Sequence, residues 1–481
     1  MKGCGYRPVP QYDAVVVGSG PNGLAAAITI ASAGRSVLVM EAGRTIGGGI
    51  RTRELTLPGF NHDVCAAIHP LGLASPFFRS LDLESYGLEW IHPDVPLAHP
   101  LDNEEAVLLH RSVGETAKGL GFDEEAYLRL IAPFVRDWKE LVYELLKPLG
   151  APRHVVPLLK FGPLAMRSAV GLAMKRFRGH RARAMFAGNS AHSILPLARP
   201  STAAFGLMMS IMGHAVGWPI AAKGSQSIAK AMSLMLKSMG GEIWVNSPVN
   251  SLSDAPASRV ILFDVTPRQL YEIVGEQFPP GYRERLRLKR SGPGVFKLDW
   301  ALNAPIPWSD NNCARAATVH IGPTLEDISA SESDVWFGAT PQKPFVLLAQ
   351  PTLFDPSRAP VGKHIAWAYC HVPNASEVDM TQRIEDQIER FAPGFRDTII
   401  ARHIMAPKDM QAYNPNYIGG DIAGGIQSFE ELFLLPLGRI RAYSTPSKGI
   451  YICSSSMPPG GGAHGMCGHL AAKRAIKDLL K

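Results

Sequence analysis

Cysteine is scarce in these 481 residues and scattered: Cys4, Cys65, Cys313, Cys370, Cys453 and Cys467. They form no CxxC pair and no zinc spacing, so a disulfide framework and a zinc module are not expected. Reduced thiols in a cytoplasmic protein fit better. Excess charge is also small. The chain has 49 basic and 42 acidic residues, a net +7, which at this length does not imply a nucleic-acid partner. The opening segment MKGCGYRPVPQYD has no apolar h-region, so no secretory signal is expected. One run, Ala14 to Ile30, is apolar enough to suggest a membrane span, but glycines and Pro21 interrupt it. Repeats and low-complexity segments are absent. With 46% hydrophobic and 19% charged residues, the composition excludes disorder as a class. The length suggests two or three domains.

What is present concentrates first between Tyr12 and Gly43. The apolar run Ala14–Val17 reads as a strand. The turn Gly18-Ser19-Gly20-Pro21-Asn22-Gly23 follows, then an Ala-rich helix to about Ala33, then a strand from Ser36 to Met40 with Glu41 directly after it. In such a turn Gly18 permits the bend, Gly20 lets a pyrophosphate approach the backbone, and Gly23 lets the helix pack closely on the sheet. The free N–H groups and dipole of the helix N-terminus hold phosphates. Glu41 is spaced to accept the hydroxyls of an adenosine ribose, and its charge disfavours the 2′-phosphate of NADP. By itself this unit permits either NAD or FAD.

Downstream, Gly47–Gly49 precede Arg51-Thr52, where a backbone could run along a cofactor and Arg51 could pair with its phosphates. His62, Asp63 and His69 follow, but their spacing fits no helical or ββα zinc pattern, so no metal is expected. His69 is instead expected in a loop near the cofactor ring. A helix is expected from Ala74 to about Trp90, and a hairpin around Asn103-Glu104. A mainly helical insert comes next: Asp123–Leu146, Val155–Met174, Arg181–Leu195 and Thr202–Met212. The basic stretch Lys175–Arg183 reads either as a solvated helix end or as a peripheral membrane contact near a mouth for lipophilic substrates.

The pattern then returns to α/β. It gives a helix Ser225–Met239, strands at Glu242–Val245 and Val249–Leu252, and a strand at Ser258 that feeds a helix. Short strands with Pro-rich turns dominate from Ser291 to about Gly425. Their aromatics Phe296, Trp300, Trp367 and Tyr369 suit either a core or a substrate wall. At the end, strand Ile450–Ser454, a Gly/Pro loop and a helix from about Gly465 aim a second helix N-terminus at something electron-rich. In a flavoprotein that would be the N1–C2=O edge of the ring.

VGSGPNGLAAA…VLVMEA, GGGIRT and GIYICSSSMPPGGGAHGMCG, in this order, resemble the FAD-dependent phytoene desaturase-like oxidoreductases, within the amine oxidase and GDP-dissociation-inhibitor fold group. LPGFNHDVCAAIHP and GWPIAAKGSQSIAKAM extend the likeness to the phytoene dehydrogenase-related branch over most of the chain. The resemblance implies an α/β fold: a discontinuous Rossmann-like FAD-binding domain (1–75, 217–290 and 430–481). Into it is inserted a substrate domain, largely helical over 76–216 and an antiparallel sheet plus helix over 291–429. It implies that Gly18, Gly20, Pro21, Asn22, Gly23, Glu41 and Ala42 hold the ADP half, that Gly48, Gly49, Arg51 and Thr52 follow the rest, and that Val249 lies beside adenine. Gly465 and Met466 would offer N–H groups to the flavin. The last strand ends in Ser454-Ser455-Ser456 where many relatives carry glycine or an acid, so the ribityl contact is expected from a serine hydroxyl, Ser456. The hairpin after Val249 is shortened to about Ser253–Ala257.

The activity so implied is hydride exchange between flavin N5 and a carbon of a lipophilic, isoprenoid- or carotenoid-like substrate: dehydrogenation, saturation or isomerisation. His69 and His464 are the side chains first in line for a catalytic role. The alternatives are a flavin amine oxidase, whose aromatic cage and flavin-side lysine are not evident in the sequence, and a non-catalytic binder of a prenyl group or partner.

Overall fold

The strand Tyr12–Val17 is buried along nearly its whole length because helices cover both sheet faces, the ordinary condition of a parallel sheet. The computed structural model describes residues 11–434, 436–438 and 441–481. Cys4 and most of the opening segment lie outside them. Five parallel strands form the first sheet, in the order Ile450–Ile452, Ser258–Phe263, Tyr12–Val17, Val37–Met40 and Glu242–Trp244. Two of its helices, Pro21–Ala31 and Met466–Leu479, pack closely on each other. Gly468 makes this approach possible, since a Cβ there would overlap the Asn22 carbonyl oxygen.

The second sheet has seven strands, in the order Ile399–Met405, Gly294–Leu302, His364–Val372, Val346–Ala349, Ala316–Ile321, Val95–Leu101 and Glu104–Leu109. Its pairs are antiparallel apart from Ala316–Ile321 against Val95–Leu101. The expected class, α/β with a Rossmann-like sheet and a separate antiparallel sheet, is therefore observed.

The aromatics expected on this second sheet divide between its faces by strand parity. Phe296 and Trp300 join Leu298 on the face covered by the helix Thr381–Glu389, where the Trp300 indole N–H donates to Glu385 at 3.0 Å. Trp367 and Tyr369 stand on the other face, in register with Asp299 and Lys297.

Several elements differ from the sequence reading. Ala74–Trp90 is not one helix. The helix Pro70–Ala74 stops at once, short turns occupy Phe78–Ser80 and Glu84–Tyr86, and Gly87 adopts φ +87° before the chain extends. The hairpin about Asn103-Glu104 exists, but it extends the large sheet. Val249–Leu252 is not a strand, because the Asp254 carboxylate gathers the Asn250 and Ser251 N–H groups into a turn. The helix read over 123–146 breaks at Asp137. That over 155–174 bends by 97° between Val155–Ala165 and Ala169–Arg176, where Ser168 caps the second part.

Candidate active site

A cavity of about 670 Å³ lies between the two sheets, and the glycine turn forms one end of it. The turn follows directly from its residues. Gly18 takes φ +101°, and a Cβ on Gly23 would overlap the Gly18 carbonyl. The helix Pro21–Ala31 then starts at the cavity. Pro21 has no N–H, and the Gly23 N–H donates to Asp264 Oδ2 at 2.9 Å, so among these first positions Asn22 keeps an N–H for an anion. Gly18, Gly20, Pro21 and Asn22 line the cavity, whereas Gly23 lies behind them.

Glu41 and Ala42 also line it. The Glu41 carboxylate is held on all sides. One oxygen accepts from the Ser19 N–H (3.0 Å) and hydroxyl (2.5 Å), and the other from the Gly43 N–H (2.7 Å) and Arg51 Nη2 (3.0 Å). Arg51 lines the cavity as expected, and it has a further role there. Its guanidinium serves Glu41 and the Thr45 carbonyl, and so fixes the acid that closes the turn. The expectation for Thr52 is corrected. Its hydroxyl donates to Asp63 and accepts the Gln226 N–H, away from the cavity. Gly48, Gly49 and Val249 do line it.

At the C-terminal end the lining residues are Ser454, Ser455 and the loop Gly461–Ala463. Ser456 turns away and donates to the Gly424 carbonyl at 2.5 Å, while the buried Ser454 hydroxyl makes no hydrogen bond. Gly465 is packed against Ala25 and Phe77, and the Met466 N–H donates to His464 Nδ1 at 3.1 Å. The cavity-facing backbone is thus a few residues upstream of the helix start read from the sequence. His464 does not line the cavity. It is fully buried, its carbonyl accepts the Ser75 hydroxyl at 2.6 Å, and its imidazole caps the last helix. Burial pushes its pKa down to about 4, against the pull of the Gly460 and Gly461 carbonyls.

His69 does line the cavity. Its Nε2 lies 2.8 Å from Ser225 Oγ, its Nδ1 makes no hydrogen bond, and burial lowers its pKa to about 4. Behind it, the Ser225 N–H donates to Asp63 Oδ1 (2.8 Å), and Asp63 Oδ2 pairs with the buried Arg358 (3.0 Å). Arg358, desolvation outweighed, holds the Asp63 carboxyl below the usual range together with the Thr52 and Ser225 donors. His62 does not join His69. It faces the buried Lys297–Asp299 pair, 3.4 Å from Asp299. No grouping of metal-ligating side chains occurs among the described residues.

The sequence reading missed Asp264. It follows the Ser258–Phe263 strand and touches the glycine turn, and burial raises its carboxyl to about 7, with the Glu41 charge adding and the Gly23 N–H opposing. An acid directly after an apolar strand, facing GSGPNG, was the available signal. Ser225 and the cavity lining from Ile194, Phe205, Met209, Thr318 and Leu347 were also missed.

Known proteins agree with this architecture. The family model described as NAD(P)-binding Rossmann-like domain matches residues 16–81. The match covers the glycine turn, the helix Pro21–Ala31 and the strand Val37–Met40. Mouse pyridine nucleotide-disulfide oxidoreductase domain-containing protein 2 is 26% identical over 100% of this chain and 96% of its own. All-trans-retinol 13,14-reductase of Danio rerio is 27% identical over 51% of this chain and 43% of its own. Among solved structures, cyclohexylamine oxidase from Brevibacterium oxydans superposes with a TM-score of 0.60 over 98% of this chain and 100% of its own, at 15% identity. The chain thus has the fold of the amine-oxidase-like oxidoreductases.

Proposed function

We propose that the protein is an FAD-dependent oxidoreductase that acts on a C–C or C=C bond of a lipophilic, isoprenoid- or carotenoid-like substrate. The observation that carries this reading is the continuity of one cavity. It runs from the glycine turn and Glu41, past Ser454 and Gly461–Ala463, to a wall of Ile194, Phe205, Met209 and Leu347. A dinucleotide alone would not need that apolar end.

The residues fit FAD. The Gly18–Asn22 backbone lines the cavity and leaves the Asn22 N–H for a phosphate, Gly48 and Gly49 line it as well, and so does Ser454, whose hydroxyl makes no hydrogen bond. Bound there, FAD supplies hydride exchange at N5. The chain supplies positioning and exclusion of water. His69 is neutral at pH 7, so it can orient a substrate by a hydrogen bond at Nδ1 without bringing a charge. The relative named for reducing all-trans-retinol supports a polyene-like substrate.

A second reading, amine oxidation, is favoured by one observation. Trp367 and Tyr369 stack with centroids 5.8 Å apart and 14° between planes, and both line the cavity. Lys297 already lies 5.3 Å from the Trp367 ring, however, tied to Asp299.

The deciding measurement is anaerobic mixing of purified protein with substrates while flavin absorbance is followed. We expect flavin bands in the purified protein and a change in flavin redox state with isoprenoid polyenes. Flavin reduction by amines, with peroxide release once air is admitted, and no response to polyenes would select the second reading. A protein without flavin bands would overturn both.

We also propose peripheral membrane contact through the helical segment. Val156, Leu159 and Leu149 are more than half exposed there, and Lys160, Lys175 and Arg176 of the same segment are exposed too. No single helix among the described residues is long and apolar enough to cross a membrane.

A further inference from the structure

Where the seven-stranded sheet and the helical segment close the cavity, the lining is apolar apart from a few polar atoms that lack partners. Thr318 pairs across the sheet with Ala349, and Ala349 with Trp367, so the three form a row on the cavity side. Thr318 and Trp367 are each 5% exposed. Neither Thr318 Oγ1 nor Trp367 Nε1 makes a hydrogen bond. Leaving a buried hydroxyl and a buried indole N–H unsatisfied is costly, so such atoms in a cavity wall point to a ligand that satisfies them.

His192 adds a third group. It follows the helix His180–Ala191 directly, lines the cavity and is partly open to it. Its Nε2 lies 3.1 Å from Nε2 of His320, which is fully buried two residues along the strand from Thr318. One of these nitrogens must carry the proton and the other accept it. His192 therefore has Nδ1 to offer the cavity. Burial holds both rings neutral. His192 is lowered to about 3, helped by nearby His371, which Glu332 holds at 2.8 Å; His320 is lowered well below its ordinary value.

We propose that His192 and Thr318, with Trp367 two strands away, form a subsite for a neutral oxygen group, a hydroxyl or carbonyl, on an otherwise apolar substrate. The proposal rests on the reading of this cavity as a lipophilic substrate site. A hydroxyl can donate and accept at once, which suits an imidazole nitrogen beside a threonine hydroxyl and an indole N–H. A carboxylate would need a countercharge. The imidazoles offer none, and Lys297 is committed to Asp299.

The test is to titrate the flavin-loaded protein with farnesol, farnesene and farnesoate at pH 7.5 and to follow tryptophan fluorescence, since Trp218 and Trp367 line the cavity. We expect farnesol to bind about three- to tenfold tighter than farnesene, the worth of one neutral hydrogen bond, and farnesoate to bind more weakly than farnesol. His192→Phe and Thr318→Val should each reduce the preference for farnesol over farnesene. Thr318→Val is nearly isosteric and decides the matter if His192→Phe does not fold. Equal binding of farnesol and farnesene, a preference that survives in the folded variants, or tightest binding of farnesoate would overturn the subsite alone. Failure of all three to bind would overturn the lipophilic reading with it.

Discussion

Asp264 places a carboxyl against a turn shaped for phosphates, with Oδ2 on the Gly23 N–H. Such an arrangement is tolerable when the acid is neutral, and burial raises its pKa from 3.8 to about 7. The sign of the consequence follows. The folded state holds the proton more tightly than the unfolded state, so stability is full below about pH 4 and is lost as pH rises to about 7. The loss is about 4 kcal/mol at most, the energy equivalent of that shift. Asp264→Asn keeps an acceptor for Gly23 and removes the titration. In cofactor-free protein, the melting temperature of the Asn variant should gain on the wild type by several degrees between pH 5 and 8, and the gap should stop widening above about pH 8. Parallel curves across that range would refute the assignment. His464 illustrates the opposite error. A histidine inside a Gly/Pro loop looked chemical in the sequence, yet its ring is used to cap a helix. No sequence pattern distinguishes a capping imidazole from a cavity-facing one, because the difference is one of side-chain direction.

At the scale of elements, the first strand, the glycine turn, the Ser225 helix and the final helix were legible because each has a strong period and a glycine or serine at its boundary. Ala74–Trp90 was misread because apolar residues at helical spacing there pack as short turns around Pro76 and Gly87. What could not be read was contact between distant elements. Gly468 lies in the final helix, with no turn to explain it, and its reason is the Asn22 carbonyl of the first helix. That obstacle is backbone and cannot swing aside. Gly468→Ala should therefore force the two helices apart, at a cost of about 1–3 kcal/mol or more. Thermal melting and retained flavin after purification report it, because the first helix carries the turn. A variant as stable and as yellow as the wild type would show that the helices can separate freely. Gly150→Ala serves as the control, since a Cβ there meets nothing within 4 Å.

At the scale of the whole molecule, the expectation that three glycine-rich segments converge on one site was legible, and Gly18–Asn22, Gly48–Gly49 and Gly461–Ala463 do line one cavity. The far half of the cavity was not, because its lining comes from single residues on many elements, such as Ile194, Phe205 and Thr318. The basic stretch Lys175–Arg183 was left open between a solvated helix end and a membrane contact, and contact is the reading proposed above. Arg181 and Arg183 are turned inward onto backbone carbonyls of Gly119, Glu105 and Phe177. Lys175, Arg176 and Arg178 remain exposed, and on the preceding helix, Val155–Ala165, Val156 is 60% and Leu159 68% exposed. That helix packs on Thr202–Ala215, whose Phe205 and Met209 line the cavity. Apolar side chains and cations exposed on one segment match an anionic lipid surface, and a water-insoluble substrate would enter from such a surface. Sedimentation with phosphatidylserine vesicles at low salt should carry the protein down, and neutral phosphatidylcholine vesicles should carry less. Val156→Glu with Leu159→Glu removes two exposed apolar side chains and adds repulsion, so vesicle affinity should fall at least about tenfold with melting temperature unchanged. Wild-type protein that stays in the supernatant at every lipid concentration, or a double variant that sediments like wild type, would remove this face as the contact.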